Sequence, residues 1–250
     1  MVRTATCSSC ERRRRCYALS VHLASAVFQK MPELEGDLRR RLASVASVES
    51  AAEACAECIY GALAEAVVLA RVFCAVPARS LPARERGHAE AVQPIAGETP
   101  VLVLMGSRGE RPAWNDRRAS ERHLAMPLTA AASAPMIASL LGDLGVELRV
   151  VDGRERIVET APPALRTFYV LDARSTTDDG GRPKISDRGF VEEHDVRSVF
   201  GVGGSRGDQL FAIIVFARQH VTRTIADQLL PLADELGAAI ARATSLFEPR

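Results

Sequence analysis

Cysteine is the residue type whose spacing in this 250-residue sequence most directly suggests chemistry. Cys7, Cys10 and Cys16 form a Cys-x2-Cys-x5-Cys array near the N-terminus, and Cys55 and Cys58 form a second Cys-x2-Cys with Cys74 following. Two such pairs supply the four thiolates that zinc or an iron–sulfur cluster takes, provided the N-terminal segment folds back. These five residues, Cys7, Cys10, Cys16, Cys55 and Cys58, are the candidate metal or redox set. Arg12 to Arg15 lie between Cys10 and Cys16, and a cationic neighbourhood lowers thiol pKa values and raises redox reactivity. The competing reading places Cys55 and Cys58 on a helix of apolar period and Cys74 in a strand. Buried cysteine there is only a small hydrophobe, and the first three belong to a basic tail without metal.

Other reactive patterns are sparse. The five histidines, His22, His88, His123, His194 and His220, are scattered and none stands in a His-Glu-x-x-His pattern. No Gly-x-Ser-x-Gly elbow and no kinase loop signature is present, so no enzyme activity is expected. Glu192, Glu193, His194 and Asp195 form an acidic cluster that reads either as a metal site or, more simply, as a solvated face. Gly201, Gly203, Gly204 and Gly207 suggest a phosphate loop, but a strand pattern follows them where a phosphate cradle needs a helix N-terminus. Gly203 to Asp208 is therefore expected to be the turn of a β-hairpin.

The elements that must position these groups can be read from periodicity. Ser47, with Val48, Ala52, Cys55, Ile59 and Leu63 beyond it, predicts an N-capped amphipathic helix. Strands are expected at Val67 to Val76, Val101 to Met105, Val146 to Val151, Thr167 to Asp172, Val196 to Val202 and Leu210 to Ala217. A helix is expected over Ala134 to Leu144, and a last one from about Thr224 to Ser245. Pro231 lies inside that last pattern and predicts a kink near Asp227 or a later start. Upstream, one helix is expected through about Gln29 and a second from Pro32, carrying Leu34, Leu38 and Leu42. The fold class is α+β.

Composition narrows the function classes. Thirty-two basic residues against 31 acidic ones leave a formal net charge of +1, which excludes the strong basic field of a dedicated nucleic-acid binder. Aromatics make up 5% of the chain, too few for a base-stacking platform. Residues 1–47 carry a net +5, so the remainder is mildly acidic. Leu124 to Gly142 lacks charge but is interrupted by Pro127 and Pro135, and no transmembrane helix is expected. No signal-peptide pattern opens the chain, and six cysteines without a regular framework fit reduced thiols, so a cytoplasmic location is expected.

Trp114-Asn-Asp-Arg-Arg118, Met126-Pro-Leu and Ala134-Pro-Met-Ile-Ala resemble the GAF-like sensory input domains of bacterial signalling proteins such as histidine kinases. Val196-Arg-Ser-Val-Phe-Gly-Val-Gly-Gly and Leu210-Phe-Ala-Ile-Ile-Val-Phe-Ala-Arg are similar to the closing hairpin of those domains. The resemblance covers about Ser47 to Ser245. It implies an antiparallel sheet of about six strands with the first and last helices on one face, and a pocket under loops and short helices on the other. It also divides the chain into a basic, cysteine-containing, partly helical extension (1–46) and a GAF-like domain (47–250).

No bilin-attachment motif or haem-ligating histidine stands out, so the ligand and any cofactor are left open. The segments Gly106 to Met126 and Ala173 to Asp195 are those able to close over such a pocket. Within the first, Trp114 offers a flat apolar wall, Asn115 an amide, and Arg117 or Arg118, with Asp116 between, a fork for a carboxylate or phosphate. Alternatively Trp114 anchors its loop on the core and Asp116 pairs with a neighbouring arginine. The expectation is a stand-alone sensory or regulatory domain that binds a small molecule or partner and signals through its terminal helices, as a homodimer or with a signalling protein. The alternatives are a thiol-based redox or metal sensor and a ligand-free interaction scaffold.

Overall fold

The computed structural model describes residues 29–151, 154–160, 164–206 and 209–248. Cys7, Cys10, Cys16, the Arg12 to Arg15 run and the first expected helix lie outside these residues.

Six strands form an antiparallel sheet, with a helical layer on one face and shorter helices and loops on the other. This is the architecture that the GAF resemblance implies. In chain order, a helix over residues 29–42 (α1) is followed by α2 (Val48–Leu63), β1 (Val67–Pro77), α3 (Ala83–Val92), β2 (Pro100–Gly109) and β3 (Ala125–Pro127). Then come α4 (Leu128–Ala132), α5 (Pro135–Asp143), β4 (Val146–Val151), β5 (Arg154–Glu159), β6 (Arg166–Val170) and α6 (Arg188–Glu193). The hairpin β7 (Ser198–Arg206) and β8 (Gln209–Ala217) leads to α7 (Arg223–Asp227) and α8 (Leu230–Arg242). The sheet order is β3-β2-β1-β8-β7-β6, while β4 and β5 pair only with each other.

The central strands explain their own composition. Phe211, Ile213 and Val215 of β8 face the helical layer, and Leu210, Ala212, Ile214 and Phe216 face the opposite one. A strand covered on both sides calls for apolar residues at nearly every position, which is why β8 reads as a continuous run and β1 as one interrupted only by Arg71. Ser47 caps α2 by accepting a hydrogen bond from the Ser50 amide at 3.0 Å. Met31, Leu34, Leu38 and Leu42 of α1 join Cys55 and Ile59 of α2 and Leu232 and Leu236 of α8 in one apolar cluster.

Several sequence expectations change. The strand read at Val146 to Val151 is β4, which stands in the separate hairpin, and the sixth strand of the sheet is the three-residue β3, too short to leave a periodic signal. Gly203 and Gly204 belong to β7, which runs to Arg206 and pairs there with Gln209, so the hairpin turn is tighter than the Gly203 to Asp208 loop. Pro231 stands in the first turn of α8, where its missing donor costs nothing, and the chain before it forms the separate α7. The helix expected to start at Pro32 already covers residues 29–31.

Backbones approach closely where α2 crosses β2. A Cβ on Gly106 would lie 2.3 Å from the Ala52 carbonyl oxygen. Gly106→Ala is expected to lower unfolding free energy by about 1–3 kcal/mol, the range for forced overpacking, measured by urea denaturation; an unchanged midpoint would show that α2 can move away.

Candidate functional site

Opposite the layer of α1, α2 and α8, the sheet carries a cavity of about 380 Å³. Its floor is Leu69, Arg71 and Phe73 of β1 with Ile214 and Phe216 of β8. Met136 and Ile137 of α5 form one wall; Ile185, Asp187 and Phe190, in and before α6, form another. Trp114, Arg122, His123 and Met126, from the segment between β2 and β3 and from β3 itself, close a third side. Both segments expected to cover a pocket therefore contribute to it.

Trp114 sits in a 3-10 turn, Pro112–Asn115. A Cβ on Gly109 would fall 2.7 Å from its Cε3, so the bare glycine lets the indole lie against β2. The indole packs edge-on to Phe190 and His194, with centroids 5.7 and 4.8 Å away, and Phe190 packs edge-on to Phe216 at 5.3 Å. Of these rings, Trp114, Phe190 and Phe216 line the cavity. His194 is buried and bonds through Nδ1 to Glu110, which also pairs with Arg218. The acidic cluster at 192–195 thus sends one member inward and is not simply a solvated face; no metal-holding group of three His, Cys, Asp or Glu residues occurs among the described residues.

The charge lies in the floor. The Arg71 Nε is sealed from solvent without a hydrogen-bond partner, and among the described residues no carboxylate pairs with the guanidinium. Burial pulls its pKa down to about 10, so it remains a cation at neutral pH. At the mouth, Arg122 and Asp187 face each other at 3.9 Å, both exposed. His123 keeps part of its side chain in solvent; desolvation of the rest, followed by the repulsion of Arg71 and Arg122, pushes its pKa down to about 4, against an opposing pull from Asp187.

The five residues of the Trp-Asn-Asp-Arg-Arg motif are split by the structure. Trp114 lines the cavity. Asn115 Oδ1 accepts from the Gly109 amide at 3.0 Å, and Asp116 Oδ1 accepts from the Arg118 amide at 2.9 Å, so both hold the loop. Arg117 turns the other way into the protein, where it is 2% exposed and pairs with Glu49 of α2 at 2.6 Å and Glu85 of α3 at 3.0 Å. It also donates to the Leu104 carbonyl at 3.2 Å and lies 5.8 Å from the centroid of Phe247. Arg118 joins Glu49 at 3.1 Å, and Glu49 Oε2 accepts from the Glu248 amide at 3.0 Å.

Cys55, Cys58 and Cys74 are buried free thiols. Burial raises all three pKa values, those of Cys58 and Cys74 to about 12, which is opposite to a reactive thiolate. Cys58 donates to Asp37 of α1 at 3.4 Å. No motif marks Arg71, which faces the cavity. Its signal was present as a lone charge within the apolar run Val-Val-Leu-Ala-Arg-Val-Phe-Cys-Ala-Val.

No protein-family model matches the chain, and no curated protein matches its sequence. Its fold is similar to solved GAF domains. The GAF domain of a phosphoenolpyruvate-protein phosphotransferase from Coxiella burnetii is 14% identical, with 85% of this chain and 94% of that one covered and a TM-score of 0.48. The free methionine-R-sulfoxide reductase from Neisseria meningitidis is also 14% identical, with coverage of 88% and 91% and a TM-score of 0.48. The phycoerythrobilin-bound GAF domain of a cyanobacterial phytochrome is 12% identical, with coverage of 85% and 94% and a TM-score of 0.46. No helix of the described residues is long and apolar enough to cross a membrane.

Arg117→Ala leaves Glu49 and Glu85 as buried carboxylates without their shared cation and is expected to cost about 3–5 kcal/mol in urea denaturation; a loss under about 1 kcal/mol would make the cluster equivalent to an exposed pair. For His123, the unfolded chain binds more protons than the folded one between the ordinary value of 6.5 and about 4, so stability falls as pH drops through that window. His123→Gln should flatten melting temperature against pH over that range, and an unchanged slope would place the acid sensitivity at other groups.

Proposed function

We propose that this chain is a sensory or regulatory domain that takes a small molecule into the cavity on the Arg71 face and passes occupancy to its terminal helices. The observation that supports it most is the cavity itself. At about 380 Å³ it falls within the 300–1,000 Å³ range of small-molecule sites, and it combines apolar and aromatic walls with a few polar groups.

The route for the signal is short, running along three residues of backbone and then through an ion pair and a hydrogen bond. Trp114 touches the cavity, and Arg117, three residues later, grips Glu49 in the first turn of α2. Glu49 in turn holds the backbone at Glu248, beyond α8. A ligand that moved Trp114 would strain this connection. It would thereby bias how α1, α2 and α8 present themselves to a second copy or to a signalling partner. No chemical transformation is part of this reading.

The test is a thermal-shift screen of a small-molecule library, followed by hydrogen exchange on the hits. Hits are expected to lose their effect in the cavity-filling variant Ala134→Phe and to slow exchange in α2 and residues 246–248 as well as in the cavity walls. Stabilisation that survives Ala134→Phe would remove the cavity as the site. Exchange changes confined to the walls would remove the signalling route.

A further inference from the structure

Arg71 and Arg117 pose the same electrostatic problem with different outcomes. Arg117 has carboxylates on two helices, whereas Arg71, in the middle of a central strand, has none among the described residues. A partly buried cation whose Nε is sealed from solvent without a partner is destabilising, and such a group persists where function requires it. The surroundings repeat the pattern. Strand register sets Arg71 opposite Ser107, on the same face, and the Ser107 Oγ is likewise sealed from solvent without a hydrogen-bond partner. The β1–β2 register shifts between Val72 and Phe73, immediately beside Arg71, and such irregularities re-aim side chains near functional sites.

Resting on the reading that the cavity is a ligand site, we infer that its ligand is an organic monocarboxylate with an apolar or aromatic body, its carboxylate held by the Arg71 guanidinium. The charge count selects the class. Arg122 and Asp187 cancel each other at the mouth, and His123 is uncharged at neutral pH, so the interior presents a single positive charge. One carboxylate neutralises it, and the planar guanidinium fork matches that group in two parallel hydrogen bonds. A dianionic phosphate would bring a second charge into an apolar space next to Asp187. Phe73, Trp114, Met136, Phe190 and Phe216 then surround the rest of the molecule.

The experiment titrates phenylacetate, the neutral isostere phenylacetamide and the dianionic phenyl phosphate into wild-type protein. Binding is followed by Trp114 fluorescence and by the methyl NMR signals of Met126 and Met136. Phenylacetate is expected to bind at least about tenfold more tightly than either competitor, and Arg71→Met to abolish that preference. Without any probe, Arg71→Met should raise the melting temperature, because a desolvated cation is replaced by an apolar side chain of similar length. Arg71→Gln serves as a second, polar variant.

Equal affinities for acid and amide, a preference that survives in both variants, or destabilisation of the probe-free protein by Arg71→Met would each overturn the carboxylate assignment while leaving the cavity reading intact. Tighter binding of phenyl phosphate would replace the monoanion by a phosphate-bearing ligand. If none of the three probes perturbs Trp114 or the methionine methyls, the cavity reading falls as well.

Discussion

The guanidinium of Arg117 sits where water cannot solvate it, and its position depends on carboxylates from two separate helices. Glu49 approaches from the first turn of α2 and Glu85 from the first turn of α3, while the Leu104 carbonyl in β2 takes a further hydrogen bond. Breaking any of these contacts leaves a charge in a low-dielectric interior, so the loop after β2 is held against both helices. Trp114, three residues earlier, inherits that fixed position. The indole, its contacts with Phe190 and His194, and one end of the cavity therefore rest on an ion cluster outside the cavity.

The sheet divides the molecule into two unlike halves. On one side α1, α2 and α8 meet β1, β2, β7 and β8 through aliphatic side chains and small residues close enough for Gly106 to touch the α2 backbone. On the other side the covering elements are short, α4 with five residues, α5 with nine and α6 with six, and they bridge by loops. Long helices can cover a sheet face continuously; short ones leave a gap, and the cavity is that gap. Its floor is as rigid as the central strands, and its walls belong to segments with fewer backbone constraints.

Arg71 and Arg117 show why charge alone is a poor guide to a site. The motif around Trp114 draws attention to Arg117 and Arg118 because they neighbour an aromatic residue in sequence, yet the extended residue Asp116 separates two 3-10 turns, and Trp114 in the first meets the cavity while Arg117 in the second meets the helices. Arg71 has no motif around it. Only the strand register, with Ile214 on one side and Ser107 on the other, places it on the cavity face.

Local pattern was enough for most of the elements. The capped helix after Ser47, the apolar runs of β1 and β8, the break at Pro231 and the helix after Ala134 follow from side-chain period and backbone chemistry within a few residues. The same information could not assign β4 to its own hairpin or find β3, because pairing partners and three-residue strands leave no periodic trace. It also left the cysteines open between core and thiolate chemistry, and burial of Cys55, Cys58 and Cys74 is a property of the packed layers. What the sequence by itself determined was the longer helices and the long strands of the sheet, since hydrophobic period acts over neighbouring residues; α3, β3, α4, β5 and α6 are too short or too weakly periodic to show it. Which arginine is neutralised and which is left facing a cavity was decided only by tertiary structure. Arg117 meets a carboxylate 68 positions away, and no local rule reports whether a charge will find its partner across the fold.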